Sequence, residues 1–207
     1  MYKMDTALQN LLSELEHFGA SNDAARQERS LRMLNITHDT GEFLFAPIRA
    51  ASARRVLEIG TSNGYSTLWL AEAVRSAHGT VTTVEKADSK VQMAEENFRR
   101  SGLHHLITLI HDDAGHMLER APGSPYDFIF LDSERSEYNA WWPSIRRSLR
   151  GGGCLVVDNA ISHAAEMEPF LSLVRADDGF TTSLVPVGNG EFLAVKDVDP
   201  VGSGTGR

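Results

Sequence analysis

RVLEIGTSNGYS, residues 55–66, runs from a short apolar segment into a glycine-bearing turn and then into a helical pattern. From Val56 onward the chain repeats this alternation of apolar runs and 3.6-residue periods, which marks a parallel sheet with helices on both faces, the α/β class. The spacing predicts strands at Arg55–Ile59, Val81–Val84, Ile107–Ile110, Asp127–Leu131, Cys154–Val157, Thr181–Val185 and Phe192–Val195. Between them Val91, Ala94 and Phe98 recur on one helical face, with Ser89 as the expected cap and Gly102 as the stop. Tyr138, Trp141, Trp142, Ile145 and Leu149 do the same ahead of a turn at Gly151, Gly152 and Gly153. Gly188, Asn189 and Gly190 separate the last two strand-like runs, as a hairpin that makes one edge strand antiparallel. Before the sheet, Asp5 to Phe18 place Leu8, Leu11, Leu12 and Leu15 on one face of an amphipathic helix. That pattern suits packing on the domain and packing on a second subunit equally.

The 207 residues, 42% hydrophobic and 23% charged, form one domain over residues 1–198, with 199–207 expected as a disordered tail. The net charge of −8 excludes a general grip on nucleic-acid backbones, which needs clustered Lys and Arg. A small-molecule partner is expected instead. Cys154, the single cysteine, rules out an internal disulfide and a cysteine zinc site and is expected in the core. No stretch has the length and apolarity of a membrane span or a signal segment, so no membrane partner is expected and the cytoplasm is the expected location.

Ligands of open α/β sheets bind outside the carboxyl ends of the strands. Here the first run leads into Glu58, Gly60, Thr61, Ser62 and Gly64, the second into Glu85 and Lys86, the third into Asp112 and Asp113, the fourth into Asp132, and the fifth into Asp158 and Asn159. An acid after each of the second to fifth strands builds a continuous negative rim. The glycine loop lacks the three-glycine spacing of a dinucleotide fingerprint, which disfavours a nicotinamide dehydrogenase, and the rim would repel a diphosphate. A cationic or neutral nucleoside fits better, with Glu85 accepting from the ribose hydroxyls. Adenosine joined to a sulfonium and an amino acid meets these conditions. Taken alone the glycine loop is equally a tight strand-to-helix turn.

Together LEIGTSNGYS (57–66), Val84-Glu85, Asp113-Ala114, YDFIFLD (126–132) and Gly152-Gly153 leading to Asp158-Asn159 resemble the class I S-adenosylmethionine-dependent O-methyltransferases, within them the bacterial enzymes related to caffeoyl-CoA and catechol methyltransferases. The resemblance runs from about Leu34 to Lys196 and implies a Rossmann-like methyltransferase fold. The sheet would be seven-stranded and mostly parallel, with an antiparallel edge strand. It implies S-adenosyl-L-methionine as cofactor, with Gly60 and its loop facing the methionine part, Ser66 near its carboxylate, Glu85 on the ribose, and Asp113 and Ala114 on the adenine. Residues 1–50, Ile36 and Thr37 among them, would cover the cofactor. Glu58 is expected either to contact the cofactor or, mainly, to fix the loop by accepting backbone amides, and Lys86 and Asp132 are also expected among the cofactor-binding residues. A homodimer built on the first helix is expected from relatives.

Asp132, Asp158 and Asn159 correspond to the family's metal ligands, and two carboxylates with an amide form a hard oxygen site suited to Mg²⁺ or Ca²⁺. Such an ion would lower the pKa of a catechol-like acceptor hydroxyl. Two departures stand on this side. Relatives commonly read Asp-Ala-Asp-Lys where this chain has Asp132-Ser133-Glu134-Arg135, so a lysine able to act as base is an arginine, which cannot accept a proton. A tryptophan common three residues after the asparagine is Ser162. A metal-assisted route without a side-chain base, one using His163, a metal-independent transfer, and a cofactor-binding protein with altered acceptor chemistry all remain open. Asp132, Arg135 and His163 are the candidate catalytic residues. Tyr138 and Trp141 are candidates for stacking on the acceptor, though their spacing is also that of core residues. His104, His105, His111 and His116 match no zinc spacing and are expected on the surface.

Overall fold

Val56, Leu57, Glu58 and Ile59 are all buried in succession, as expected for a strand covered on both faces. The computed structural model describes residues 4–120 and 126–198, so the expected tail at 199–207 lies outside the described residues. The strands are β1 (Arg55–Ile59), β2 (Thr80–Glu85), β3 (Ile107–His111), β4 (Tyr126–Leu131), β5 (Leu149–Val157), β6 (Phe180–Val185) and β7 (Glu191–Lys196). They form one seven-stranded sheet in the order β3-β2-β1-β4-β5-β7-β6. β1 to β5 pair in parallel, and β7 runs antiparallel to both β5 and the outermost β6. Strand order reverses between β1 and β4, the switch point at which such sheets hold ligands.

The helices are α1 (Thr6–Ala25), α2 (His38–Ala50), α3 (Tyr65–Arg75), α4 (Asp88–Ser101), α5 (Ala114–Arg120), α6 (Tyr138–Ser148) and α7 (Ala164–Arg175). Alternate strand residues divide the core. Val56, Val81, Phe128, Phe130 and Val156 pack with α1 to α4. Leu57, Ile59, Ile129, Leu131 and Val157 pack with α5 to α7. Leu8, Leu11, Leu12 and Leu15 are buried in the first of these cores, which decides the alternative left by the sequence. The stripe of α1 is used within the chain. No described helix is long and apolar enough to cross a membrane.

Three local expectations change. α1 extends to Ala25, capped by the Asp5 carboxylate, which accepts from the Ala7 amide at 2.7 Å. α4 begins at Asp88 with Ala87 as its cap, and Ser89 lies inside its first turn. The glycines Gly151, Gly152 and Gly153 are part of β5, where a register shift against β4 takes them up as a bulge, with Gly152 at φ +70.

Asp127 shows why the central strands start together. Its Oδ2 accepts from the Arg54 and Arg55 amides at 2.7 and 2.8 Å, and its Oδ1 accepts from Arg150 Nε at 2.5 Å. One carboxylate thus joins the starts of β1, β4 and β5. Burial raises its pKa, but these donors outweigh burial and hold it below the ordinary carboxylate range. A depressed acid gives stability that is present above its unfolded pKa and lost as pH falls through the folded value. Asp127→Ala is expected to cost about 2 to 4 kcal/mol in chemical denaturation at neutral pH, with the gap to the parent narrowing below about pH 4. A cost that stays constant into the acid range would show that the charge is not what ties these strands.

Candidate active site

At each strand end of the parallel sheet the ladder continues by one bond. Gly60 N donates to Val84 O, Asp112 N to Glu85 O, Asp132 N to Ile59 O and Asp158 N to Leu131 O, at 3.0–3.2 Å. These bonds set Gly60, Glu85, Asp112, Asp132 and Asp158 along one rim. Gly60 has φ +104, and a Cβ there would lie 2.0 Å from the Asp132 carbonyl oxygen. No side chain fits, so the loop leaving β1 runs against the end of β4. Gly64, at φ +87, is the residue before α3, and a Cβ on it would meet the Phe98 ring at 2.5 Å.

Backbone amides hold Glu85. Its Oε2 accepts from Ser62 N at 2.9 Å, and its Oε1 from Lys86 N and Ala87 N at 3.0 Å each. The Glu85 carboxylate thus takes up the amide of Ala87, the residue before α4. Glu58 is fully buried and accepts from three hydroxyls, Ser66 at 2.5 Å, Thr83 at 2.6 Å and Thr67. Among the described residues no backbone amide donates to Glu58, and Ser66, expected beside a ligand carboxylate, points its hydroxyl at Glu58. Burial pushes the Glu58 carboxyl up to about 7 against the pull of those hydroxyls.

Two adjoining cavities open along the rim. One, of about 330 Å³, is lined by Gly60, Glu85, Lys86, Asp113, Ala114 and Trp141 among others. The second, of about 460 Å³, shares Gly60, Glu85 and Lys86 and extends past Thr61, Ser62 and Ser66 to Asp132, beneath a segment that includes Met33 and Ile36. A third hollow of about 450 Å³ between α1, α2 and α3, lined by Leu12, Phe45 and Trp69, lies away from the strand ends. Asp113 Oδ1 accepts from the Gly115 amide at 2.9 Å and so opens α5. Thr37 does not line either rim cavity. It caps α2, its Oγ1 accepting from Thr40 N at 3.2 Å.

On the far side of Gly60, Asn159, left-handed at φ +68, places its amide between two acids, Nδ2 donating to Asp158 at 2.7 Å and to Asp132 at 3.3 Å. Burial, and then each other's charge in the case of Asp132, raises the pKa of both carboxyls, while Arg135 pulls both down. Arg135 Nε donates to Glu166 at 2.7 Å. Ser162 Oγ lies 3.2 Å from Asn159 Oδ1 and 2.9 Å from His163 Nδ1, which fixes the ring.

The structure adds a residue that strand-end inspection missed, because it begins a strand instead of ending one. Glu191, at the start of β7, is wholly buried and accepts from Thr40 Oγ1 at 2.9 Å. Among the described residues Asp158 Oδ1 and Glu191 Oε2 receive no hydrogen bond, and the two buried carboxyls lie close enough that the charge of Asp158 acts on Glu191. Burial and the neighbouring Asp158 push Glu191 up to about 10.

Tyr138 is corrected as a stacking candidate. It is 1% exposed, packs edge-on to Phe170, and its hydroxyl accepts from the Ser133 amide at 2.7 Å. It shapes the loop after β4 from within the core. Trp142 is likewise core, whereas Trp141 lines the cavity that holds Asp113, away from Asp158 and Asn159. Among the described residues no three His, Cys, Asp or Glu side chains are grouped to hold a metal ion. The candidate set is two carboxylates and one amide. An acid oxygen without a donor and two neighbouring buried carboxylates are nonetheless the chemistry that a hard cation satisfies.

The family model described as O-methyltransferase matches residues 4–197. A catechol O-methyltransferase of Mycobacterium tuberculosis is 34% identical over 142 residues, 69% of this chain and 62% of that protein. The chain therefore spans less than two thirds of that relative. An O-methyltransferase of Streptomyces achromogenes, TomG, involved in tomaymycin synthesis and solved in complex with SAM, superposes with a TM-score of 0.76 at 25% identity, covering 95% of this chain and 93% of that one. A Bacillus cereus O-methyltransferase in complex with SAH gives the same TM-score, identity and coverage.

Glu58 yields a pH test. Its folded pKa is raised, so its contribution is present below the unfolded value near 4.5 and is lost as pH rises through about 7. Relative to Glu58→Gln, the parent's Tm is expected to fall between pH 5 and pH 8. Parallel profiles for the two proteins would show that Glu58 does not titrate there.

Proposed function

The chain belongs to the O-methyltransferase family, and on that premise we propose that it transfers the methyl group of S-adenosyl-L-methionine to a hydroxyl of a small, catechol-like acceptor. The observation that carries this is the acidic rim, with the glycine loop and Glu85 on one side of Gly60 and Asp132, Asp158 and Asn159 on the other. A sulfonium is a cation, and a rim of carboxylates attracts it where it would repel a diphosphate.

Glu85, oriented by three loop amides, accepts from the ribose hydroxyls. The remaining oxygen of Asp113 and the Ala114 amide face the adenine, and Trp141 supplies the apolar wall of that cavity. The Gly60–Ser62 loop and Ile36 enclose the methionine part. The acceptor lies toward Asp132, and its hydroxyl oxygen attacks the methyl carbon as the carbon–sulfur bond breaks, leaving neutral S-adenosylhomocysteine. Much of the rate comes from holding oxygen, carbon and sulfur in line. Arg135 cannot take the hydroxyl proton but stabilises the oxyanion left behind. His163, held by Ser162, takes the proton.

Asp132, Asp158 and Asn159, its amide turned to present oxygen, would hold Mg²⁺ or Ca²⁺. When bound, that ion lowers the pKa of the acceptor hydroxyl. Arg135 supports a second possibility. Its fixed positive charge beside both acids supplies part of what an ion would, so transfer without metal is the alternative. The single buried cysteine suits the reducing cytoplasm.

Incubation with labelled cofactor and a panel of vicinal diphenols, with and without chelator, is expected to give O-methylated product. No transfer to any hydroxyl acceptor, despite tight cofactor binding, would overturn the activity, and full turnover in chelator would remove the metal. Glu85→Ala is expected to weaken cofactor binding by about 1 to 3 kcal/mol in calorimetry; unchanged affinity would refute the ribose assignment. Asp158→Ala is expected to abolish metal-dependent turnover with cofactor affinity nearly intact.

A further inference from the structure

The wall of the larger cavity opposite the glycine loop is a strap that includes Arg29, Ser30, Met33, Leu34, Asn35 and Ile36, and one side chain on α1 holds its centre. Asp23 Oδ1 accepts from the Met33 amide at 2.7 Å, and its Oδ2 accepts from the Leu34 amide at 2.8 Å. Leu34 is left-handed at φ +52, a conformation an apolar side chain adopts only when its surroundings impose it. That turn aims two successive amides at one carboxylate. The Asn22 side chain donates both to Asp23 Oδ1 and to the Leu31 carbonyl, at 2.9 Å each. Burial raises the Asp23 pKa, but these donors outweigh it and keep the group below its ordinary range, so it is ionised at neutral pH.

The strap's other edge meets the cofactor loop directly. Ser62 Oγ donates to the Met33 carbonyl at 2.7 Å, and Ser62 N donates to Glu85 Oε2 at 2.9 Å. Ser62 is itself left-handed, at φ +49. One connected path therefore runs from Asp23 through Met33 to Ser62 and Glu85. Leu34, whose amide Asp23 holds, adopts a left-handed conformation beside this path. A ligand in the larger cavity lies against the strap, which the Ser62–Met33 bond ties to the glycine loop.

We propose that Asp23 is a positioning residue for the cofactor: by clamping the Met33 and Leu34 amides it holds the strap against the glycine loop beside the bound cofactor and sets the rate at which cofactor dissociates. It touches no cofactor atom and acts through Met33 and Ser62. The proposal rests on the assignment of S-adenosylmethionine to this cavity. It makes α1, whose apolar face only packs on the core, a working part of the site through its last turn.

The test is the dissociation rate of S-adenosylhomocysteine from the full-length chain, by stopped-flow displacement, in the parent, Asp23→Ala, Asp23→Asn and Ser62→Ala. Two hydrogen bonds to a charged acceptor are lost in Asp23→Ala, so dissociation is expected to quicken about tenfold or more. Asp23→Asn keeps one acceptor oxygen but turns an amino group toward the other amide, and an intermediate rate is expected. Asp23→Ala combined with Ser62→Ala should add little to the faster single variant, because both break one path. The apo proteins' circular dichroism should match the parent's, which a merely structural role for Asp23 would not predict alongside faster release. Dissociation within twofold of the parent in Asp23→Asn and Asp23→Ala would overturn the clamp while leaving the cofactor assignment standing. Failure of the parent to bind S-adenosylhomocysteine at all would overturn both.

Discussion

Gly60 passes so close to the end of β4 that the first carbon of any side chain would lie 2.0 Å from the Asp132 carbonyl oxygen. This approach brings two regions that are far apart in sequence, the loop after β1 and the loop after β4, into one contact at the switch point of the sheet. Everything assigned to the cofactor lies on one side of that contact. Everything assigned to the acceptor lies on the other. A methyl group that has to cross from a sulfur to an oxygen needs these two sides within bonding reach, and the missing side chain provides that proximity.

The same rim concentrates negative charge, and each acid in it is managed differently. Glu85 is satisfied by three backbone amides and stays oriented toward the cavity. Glu58 lies behind the loop, wrapped by three hydroxyls and pushed up to about 7 by burial. Asp132 and Asp158 share the Asn159 amide and the field of Arg135. Glu191, buried beside Asp158, is pushed up to about 10 and so is neutral where Asp158 is charged. Charge that is unpaired where the ligand belongs and neutralised behind it is the arrangement that favours a cationic cofactor without destabilising the core.

The sheet was legible because the apolar runs of β1, β4 and β5 lead into Gly60, Asp132 and Asp158 and β2 ends on Glu85, so type and end were both visible. The glycines after Leu149 misled in a specific way. Three in a row read as a turn, yet the register between β4 and β5 absorbs them as a bulge. Tyr138 and Trp141 share a helical face by spacing, but only the packing of α6 on Phe170 decides that the first is core and the second lines a cavity. Asp23 and Glu191 were invisible for a different reason. Neither follows a strand, and each acts on residues distant in sequence: Asp23 on Met33 and Leu34, Glu191 on Thr40 and Asp158. No local pattern encodes such partners.

The central claim is that the rim around Gly60 is the seat of a nucleoside sulfonium cofactor, and a crystal structure of the chain with S-adenosylhomocysteine tests it most directly. The account predicts the ribose hydroxyls on the Glu85 carboxylate, the adenine against Ala114 and Trp141, and the sulfur directed toward Asp132. A ligand seated elsewhere, or one in this cavity with its ribose away from Glu85, would contradict it.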